Sequence, residues 1–164
     1  MDLEKVREKW VNYNLELIDK FSRSVKTDQK EVELLKYFGV NFLIDFESEL
    51  DEDPENVDGG IITIDTVTAA YIDSFLGRWY IQNNENATEE ELEAFMDAFF
   101  AFYSYLRDNK LYKERAAQLT KLLTKLENKK KYVKRLKDYQ KIQESKGDEE
   151  TYLDLLQEWE YEDL

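Results

Sequence analysis

Residues 88–106 read Thr-Glu-Glu-Glu-Leu-Glu-Ala-Phe-Met-Asp-Ala-Phe-Phe-Ala-Phe-Tyr-Ser-Tyr-Leu. Thr88 and Glu91 have the spacing of a capping box, in which hydroxyl and carboxylate satisfy each other's unpaired backbone amides. Behind them Leu92, Phe95, Met96, Phe99, Phe100, Phe102, Tyr103 and Leu106 cover most of a helical circumference. A helix apolar nearly all round belongs inside, so this segment is predicted to be the centre of a helical bundle.

The flanking sequence supplies the other helices. Leu3, Val6, Trp10, Tyr13, Leu17, Phe21 and Val25 recur every three or four residues, as one apolar stripe requires. Asp28 and Glu31 form a second capping box, followed by Val32, Leu35, Phe38, Phe42, Phe46 and Leu50. This second helix is expected to stop in Asp51-Glu52-Asp53-Pro54-Glu55-Asn56-Val57-Asp58-Gly59-Gly60, which holds the only proline and the only Gly-Gly. Residues 61–64 suit a short extended piece, but an isolated strand has nothing to pair with. A third helix is expected from about Asp65, carrying Val67, Tyr71, Phe75 and Trp79, with Gly77 as its weak point.

Residues 111–146 contain neither Gly nor Pro, and Tyr112, Ala116, Leu119, Leu123, Leu126, Val133 and Leu136 keep helical spacing. One continuous basic helix of roughly 50 Å is expected, with a tight hairpin at 128–131 as the alternative. Gly147-Asp148 ends it, and residues 149–160 form a short acidic helix. The expected fold is all-α: a compact bundle of about six helices, with a long basic fifth helix and a short acidic C-terminal one. Residues 1–146 make a single domain, and the acidic-aromatic segment 147–164 is packed on it or mobile.

Composition removes most chemistry. The 164 residues include no cysteine and no histidine. Disulfide frameworks, zinc fingers, cysteine nucleophiles, serine-type triads and imidazole metal sites are excluded. At 42% hydrophobic residues the chain is too apolar to be disordered throughout. The opening Met-Asp-Leu-Glu-Lys is not a signal peptide. The most apolar stretch, 92–106, is interrupted by Glu93 and Asp97 and is too short to span a bilayer, so a cytoplasmic location is expected.

Two metal readings fall short on the residues. Aligned to a calcium-binding helix–loop–helix, Asn56, Asp58, Gly59, Ile61 and Asp65 match loop positions, but Pro54 stands where the first ligand belongs. At the twelfth position Asp65 replaces the longer bidentate Glu. A Mg²⁺-dependent, carboxylate-only hydrolase needs two acidic pairs on facing helices. Glu90, Glu93 and Asp97 supply one, whereas Glu49 and Glu52 run into the proline loop. No metal, cofactor or catalytic residue is assigned. Residues 64–106 hold a helix ending Phe75-Leu76-x-x-Trp79-Tyr80, a capped turn, and an aromatic helix ending Phe102-Tyr103-x-Tyr105-Leu106. In apolar spacing alone this is similar to the helical core-binding region of tyrosine recombinases, a likeness that implies no residue roles.

Charge segregation is the feature that points to function. Residues 107–146 carry 14 basic and 5 acidic side chains; the other 124 residues carry 9 basic and 32 acidic. The formal net charge of −14 is therefore the sum of −23 and +9 on separate stretches. Such a chain is expected to act as a non-enzymatic protein-interaction or regulatory module, or by self-association. A nucleic-acid-associated accessory role is the main alternative, and a Mg²⁺-dependent, carboxylate-only hydrolase the second. The expected contact residues are Lys129, Lys130, Lys131, Lys134, Arg135, Lys137 and Lys141 on the basic helix, with Trp159 and Tyr161 on the acidic tail.

Overall fold

The computed structural model describes residues 2–51, 53 and 59–163. Among them lie seven helices and no strand. The first, α1 (Leu3–Ser24), is capped by Asp2, whose carboxylate accepts from the Glu4 amide at 3.0 Å. Its buried side is Val6, Asn14, Ile18 and Phe21, part of a turn away from the expected stripe, which leaves Leu3 and Val25 exposed.

Helix α2 (29–47) starts on the Asp28 cap and winds as an α-helix over Gln29–Lys36. Over Tyr37–Glu47 it widens into a π-helix, a rare winding usually limited to one turn. The widened turns aim Phe38, Phe42, Leu43 and Ile44 inward, whereas Phe46, expected on the core face, is 58% exposed. Helix α3 (69–83) repeats the device, with a π segment at Phe75–Trp79 between Ala69–Ser74 and Tyr80–Asn83. The two widened stretches meet ring to ring: Phe75 lies 5.0 Å from Phe38 and 5.1 Å from Phe42, and Trp79 lies 5.8 Å from Phe46.

Residues 61–67 thread between these helices with one 3-10 turn at Ile64–Thr66. Their backbone is held by side chains from elsewhere. Asn14 accepts from the Ile64 amide and donates to the Gly39 carbonyl, both at 2.9 Å. Tyr103 donates to the Ile64 carbonyl at 2.8 Å, and Tyr112 to that of Val67 at 2.7 Å. Buried Asp65 accepts from Tyr13 at 2.5 Å and from Thr63 at 2.6 Å. Its carboxylate therefore lies in an internal hydrogen-bond cluster; Pro54, Asn56 and Asp58 of the calcium reading lie outside the described residues.

Helix α4 (Glu89–Asp108) is the predicted central helix. Thr88 caps it, accepting from the Glu91 amide at 3.1 Å, while the Glu91 carboxylate accepts from the Tyr80 hydroxyl at 2.8 Å. Leu92, Phe95, Met96, Phe99, Phe102, Tyr103 and Leu106 are buried, but Phe100 remains 41% exposed. Lys110 ends the helix in a left-handed conformation, φ 56°.

The continuous basic helix expected over 111–146 is not formed. Residues 111–115 are non-helical, α5 spans Ala116–Glu127, and Asn128 (φ −91°, ψ 73°) separates it from α6 (Lys129–Glu144). The break has a packing reason. Leu119, Leu122, Leu123 and Leu126 are buried on α5, which packs on α4 and α3. Tyr132, Arg135 and Leu136 are buried on α6, which packs on α4, the π segment of α3 and α7. One straight helix could not serve both sets. Helix α7 (Glu149–Glu162), capped by Asp148, folds back on α6 through Trp159, which is part of the core. Among the described residues, no helix is long and apolar enough to cross a membrane.

Phe99 is fully buried, 4.6 Å from Phe38 and 5.8 Å from Phe95 between ring centres. Phe99→Ala is expected to cost roughly 3–5 kcal/mol, read as a lowered denaturant midpoint. A loss under about 1 kcal/mol would show that the aromatic layer is not what holds α2, α3 and α4 together.

Candidate functional site

The two sides of α6 are unlike. On the inner side Asp73 of α3, itself buried, accepts from the Tyr132 hydroxyl at 2.6 Å and from Lys131 Nζ at 3.3 Å. It also pairs with Lys125 of α5. Lys131 reaches on to Asp163 at the end of α7, at 2.9 Å. Asp163 accepts in addition from Arg135 Nη2 at 2.8 Å and from Arg78 Nη2 at 3.3 Å. Arg135 Nη2 donates further to the Glu162 carboxylate at 3.2 Å and the Trp159 carbonyl at 3.3 Å. The guanidinium also lies over the Trp159 ring, 5.3 Å from its centre.

This network joins α3, α5, α6 and α7, and sets the ionisation of its members. Burial alone would raise the Asp163 carboxyl, but hydrogen bonds from Arg135 and Lys131, and their charges, outweigh it and hold it down at about 2. Burial, and then the Asp73 carboxylate, push the Tyr132 phenol up. Beside the network a groove of about 660 Å³ opens between Asp73, Arg78, Lys121, Lys125, Glu160 and Asp163.

On the outer side Lys130, Lys134, Lys137 and Lys141 are all exposed. Their 4-3-4 spacing places them on one face of α6, opposite Tyr132 and Leu136. Lys134 pairs with Asp138 of its own helix at 2.7 Å and also feels the charges of Glu158 and Glu162 on α7. Lys137 meets Glu89 at 3.3 Å. A hollow of about 620 Å³ runs along this face, lined by Lys130, Val133, Lys134, Lys137, Lys141 and Glu89.

The nine residues expected from the sequence to meet a partner are thus divided. Arg135, only 2% exposed, and buried Trp159 meet each other, because α7 supplies the carboxylates that neutralise this cation. Lys131 belongs to the same network, and Lys129 pairs with Asp97 at 2.9 Å. Lys130, Lys134, Lys137 and Lys141 form the outer stripe, and Tyr161 stands 80% exposed on α7. Asp97, one acid of the Mg²⁺ reading, is held by Lys129; among the described residues no group of three or more acids is placed to hold a metal ion.

Comparison of the chain with protein-family models, with curated proteins and with solved structures gives no match. Any functional reading rests on the chain's own residues.

Six residues of the inner network escaped the sequence reading: Asp73, Arg78, Lys125, Tyr132, Glu162 and Asp163. Asp73 did leave a signal, since Asp65 and Asp73 are the only charged residues between 61 and 77. A lone acid in an apolar helix needs a cationic or hydrogen-bonding partner. Gly77 also has a role besides weakening its helix. A Cβ there would lie 2.6 Å from Arg135 Nη1, so its absence makes room for the guanidinium against α3.

Two outcomes follow. Asp163→Asn is expected to destabilise the protein by roughly 1.5–3 kcal/mol near neutral pH. Because the folded-state carboxyl is held at about 2, below its ordinary 3.8, its contribution is present above pH 3.8 and is lost as pH falls toward 2. Denaturation of both proteins across that range should show the difference shrinking with acid; a constant difference would mean that the charge is not what matters. Gly77→Ala should displace Arg135 and cost about 1–3 kcal/mol, with a changed near-ultraviolet signal from Trp159.

Proposed function

We propose that this chain is a non-enzymatic protein-interaction module acting in the cytoplasm. The outer lysine stripe of α6 is its working surface, and an acidic segment of a partner protein is what it binds. One observation carries the reading: Lys130, Lys134, Lys137 and Lys141 share an exposed face, while the inner cations of the same helix are neutralised within the fold. The stripe extends about 17 Å, roughly three helical turns, which matches acidic side chains spaced along a partner helix. Its two ion pairs, to Asp138 and Glu89, are exposed contacts of the kind worth about 0–1 kcal/mol, so a partner displaces them at little cost.

Charge around the stripe favours a protein over a phosphate backbone. Asp138, Glu144 and Glu89 border the hollow, and the chain as a whole carries −14. A duplex would meet these acids wherever it approached the lysines. A protein partner can place its own cations opposite them, which is how charged interfaces select one partner over others.

Binding measured by fluorescence anisotropy against poly-L-glutamate and against duplex DNA tests this. The wild-type protein should bind the polypeptide at low salt, and the K130E/K134E/K137E/K141E variant should lose about tenfold or more in affinity. Unchanged binding by that variant would reject the stripe. Tighter binding to DNA, with a log–log salt slope near about −3.6 for four phosphate contacts, would reassign it to nucleic acid.

A further inference from the structure

We propose that the place occupied by α7 is an exchangeable docking site for an acidic-aromatic helix of a partner protein, with α7 its resident occupant. The cleft is formed by Gly77 and Arg78 of α3 and by Lys131, Arg135 and Tyr139 of α6, on a face of α6 that adjoins the lysine stripe at Lys134, which feels the charges of Glu158 and Glu162. The proposal does not depend on the stripe.

Part of the seat is held by groups outside α7. Missing the Cβ that would crowd Nη1, Gly77 lets the Arg135 guanidinium lie against α3, and Tyr132 beside it is anchored to Asp73. Among the described residues, every side-chain hydrogen bond made by Arg135 ends on α7 or its C-cap: on the Trp159 carbonyl, on Glu162 and on Asp163. Arg135 Nε is buried with no partner. A buried cation whose acceptors all come from one peripheral helix is in effect a receptor for what that helix presents. Its requirement is an aromatic ring under the guanidinium and carboxylates three and four residues further on, as in Trp159, Glu162 and Asp163.

The occupant is anchored mainly at its C-terminal end. Trp159 is the one buried residue of α7; Tyr152, Leu155 and Leu156 are half-buried, and Leu153 and Tyr161 stand 57% and 80% exposed. The turn joining α7 to α6 places Lys146 in the left-handed region, φ 52°, which a residue with a Cβ adopts at a cost. Buried ion pairs contribute modestly to stability because desolvation offsets their attraction, yet they discriminate strongly against a wrong partner. An anchor confined to one end of a helix, with strong selectivity for its side chains, is what an exchangeable site requires. Tethering keeps α7 at an effective concentration on the order of millimolar, so a competitor succeeds when its own helix binds better or when α7 is loosened.

The test uses the full chain and a fluorescein-labelled peptide of residues 147–164 as probe. Trp159→Ala in the chain removes the resident's anchor while leaving the seat intact. The peptide should bind this variant about tenfold or more tightly than it binds the wild-type protein. A peptide carrying the same Trp159→Ala change should bind neither. If the variant loses the circular dichroism of the folded bundle, Asp163→Asn in the chain serves the same purpose. Absence of peptide binding to a folded variant would overturn the proposal. So would equal binding of a scrambled peptide of identical composition, since that would be charge attraction to the lysine stripe alone. Loss of binding to poly-L-glutamate in the stripe variant bears on the stripe and not on this site.

Discussion

Phe75 is where three helices of this protein are joined. Its ring contacts Tyr37, Phe38 and Phe42 of α2, Trp79 and Tyr80 of its own helix, and Phe95 and Phe99 of α4, at centroid distances of 5.0–6.2 Å. Rings of this size bury large apolar areas and prefer edge-on or offset contacts. Meeting that geometry on two sides at once is associated here with a departure from regular winding: α2 and α3 are both π-helical where they face each other. The same segment of α3 contains Gly77, against which Arg135 lies. Aromatic packing on one side of α3 and the ionic network on the other therefore share a single stretch of backbone.

The ionic network completes what the aromatic layer begins. Helices α1 to α5 are held by buried apolar side chains, whereas α7 contributes only Trp159 to the core. Its position depends on Asp163 and Glu162 meeting Arg135, Lys131 and Arg78. Dispersion and the hydrophobic effect are indifferent to direction, but a guanidinium with fixed donors is not. Packing thus places the body of the bundle, and hydrogen-bonded charge orients its last helix.

Segregation of charge along the chain becomes segregation around one helix. Inward cations of α6 are consumed by acids from α3 and α7, and outward ones face solvent along a line of four lysines. The figure of +9 for residues 107–146 overstates the charge available at the surface, because part of it is already neutralised. The proposed stripe and seat are two sites for acidic helices on different faces of the same element. They differ in kind: one is open and electrostatic, the other closed and selective for an aromatic anchor.

Much of the fold is legible in the letters. Apolar residues at helical spacing mark α1 to α4, and the capping residues Asp2, Asp28, Thr88 and Asp148 each stand at a helix start where their side chain accepts a backbone amide. That the segment 92–106 would be largely buried follows from apolar residues covering most of its circumference. Local rules did not reveal the π-helical windings, and they offered the break at Asn128 only as an alternative to a continuous helix, since both answer to residues on other helices. The site was legible only as a set. Composition marked 129–141 as basic and 147–164 as acidic and aromatic, but which lysines face water and which cations are buried was decided by tertiary structure. Arg135 is buried because Asp163, 28 residues away, and Gly77, on another helix, both meet it; no window of sequence contains all three. Helical periodicity is set by neighbours one turn apart and can be read from the chain, whereas the ion pairs of Arg135 join residues brought together only by folding.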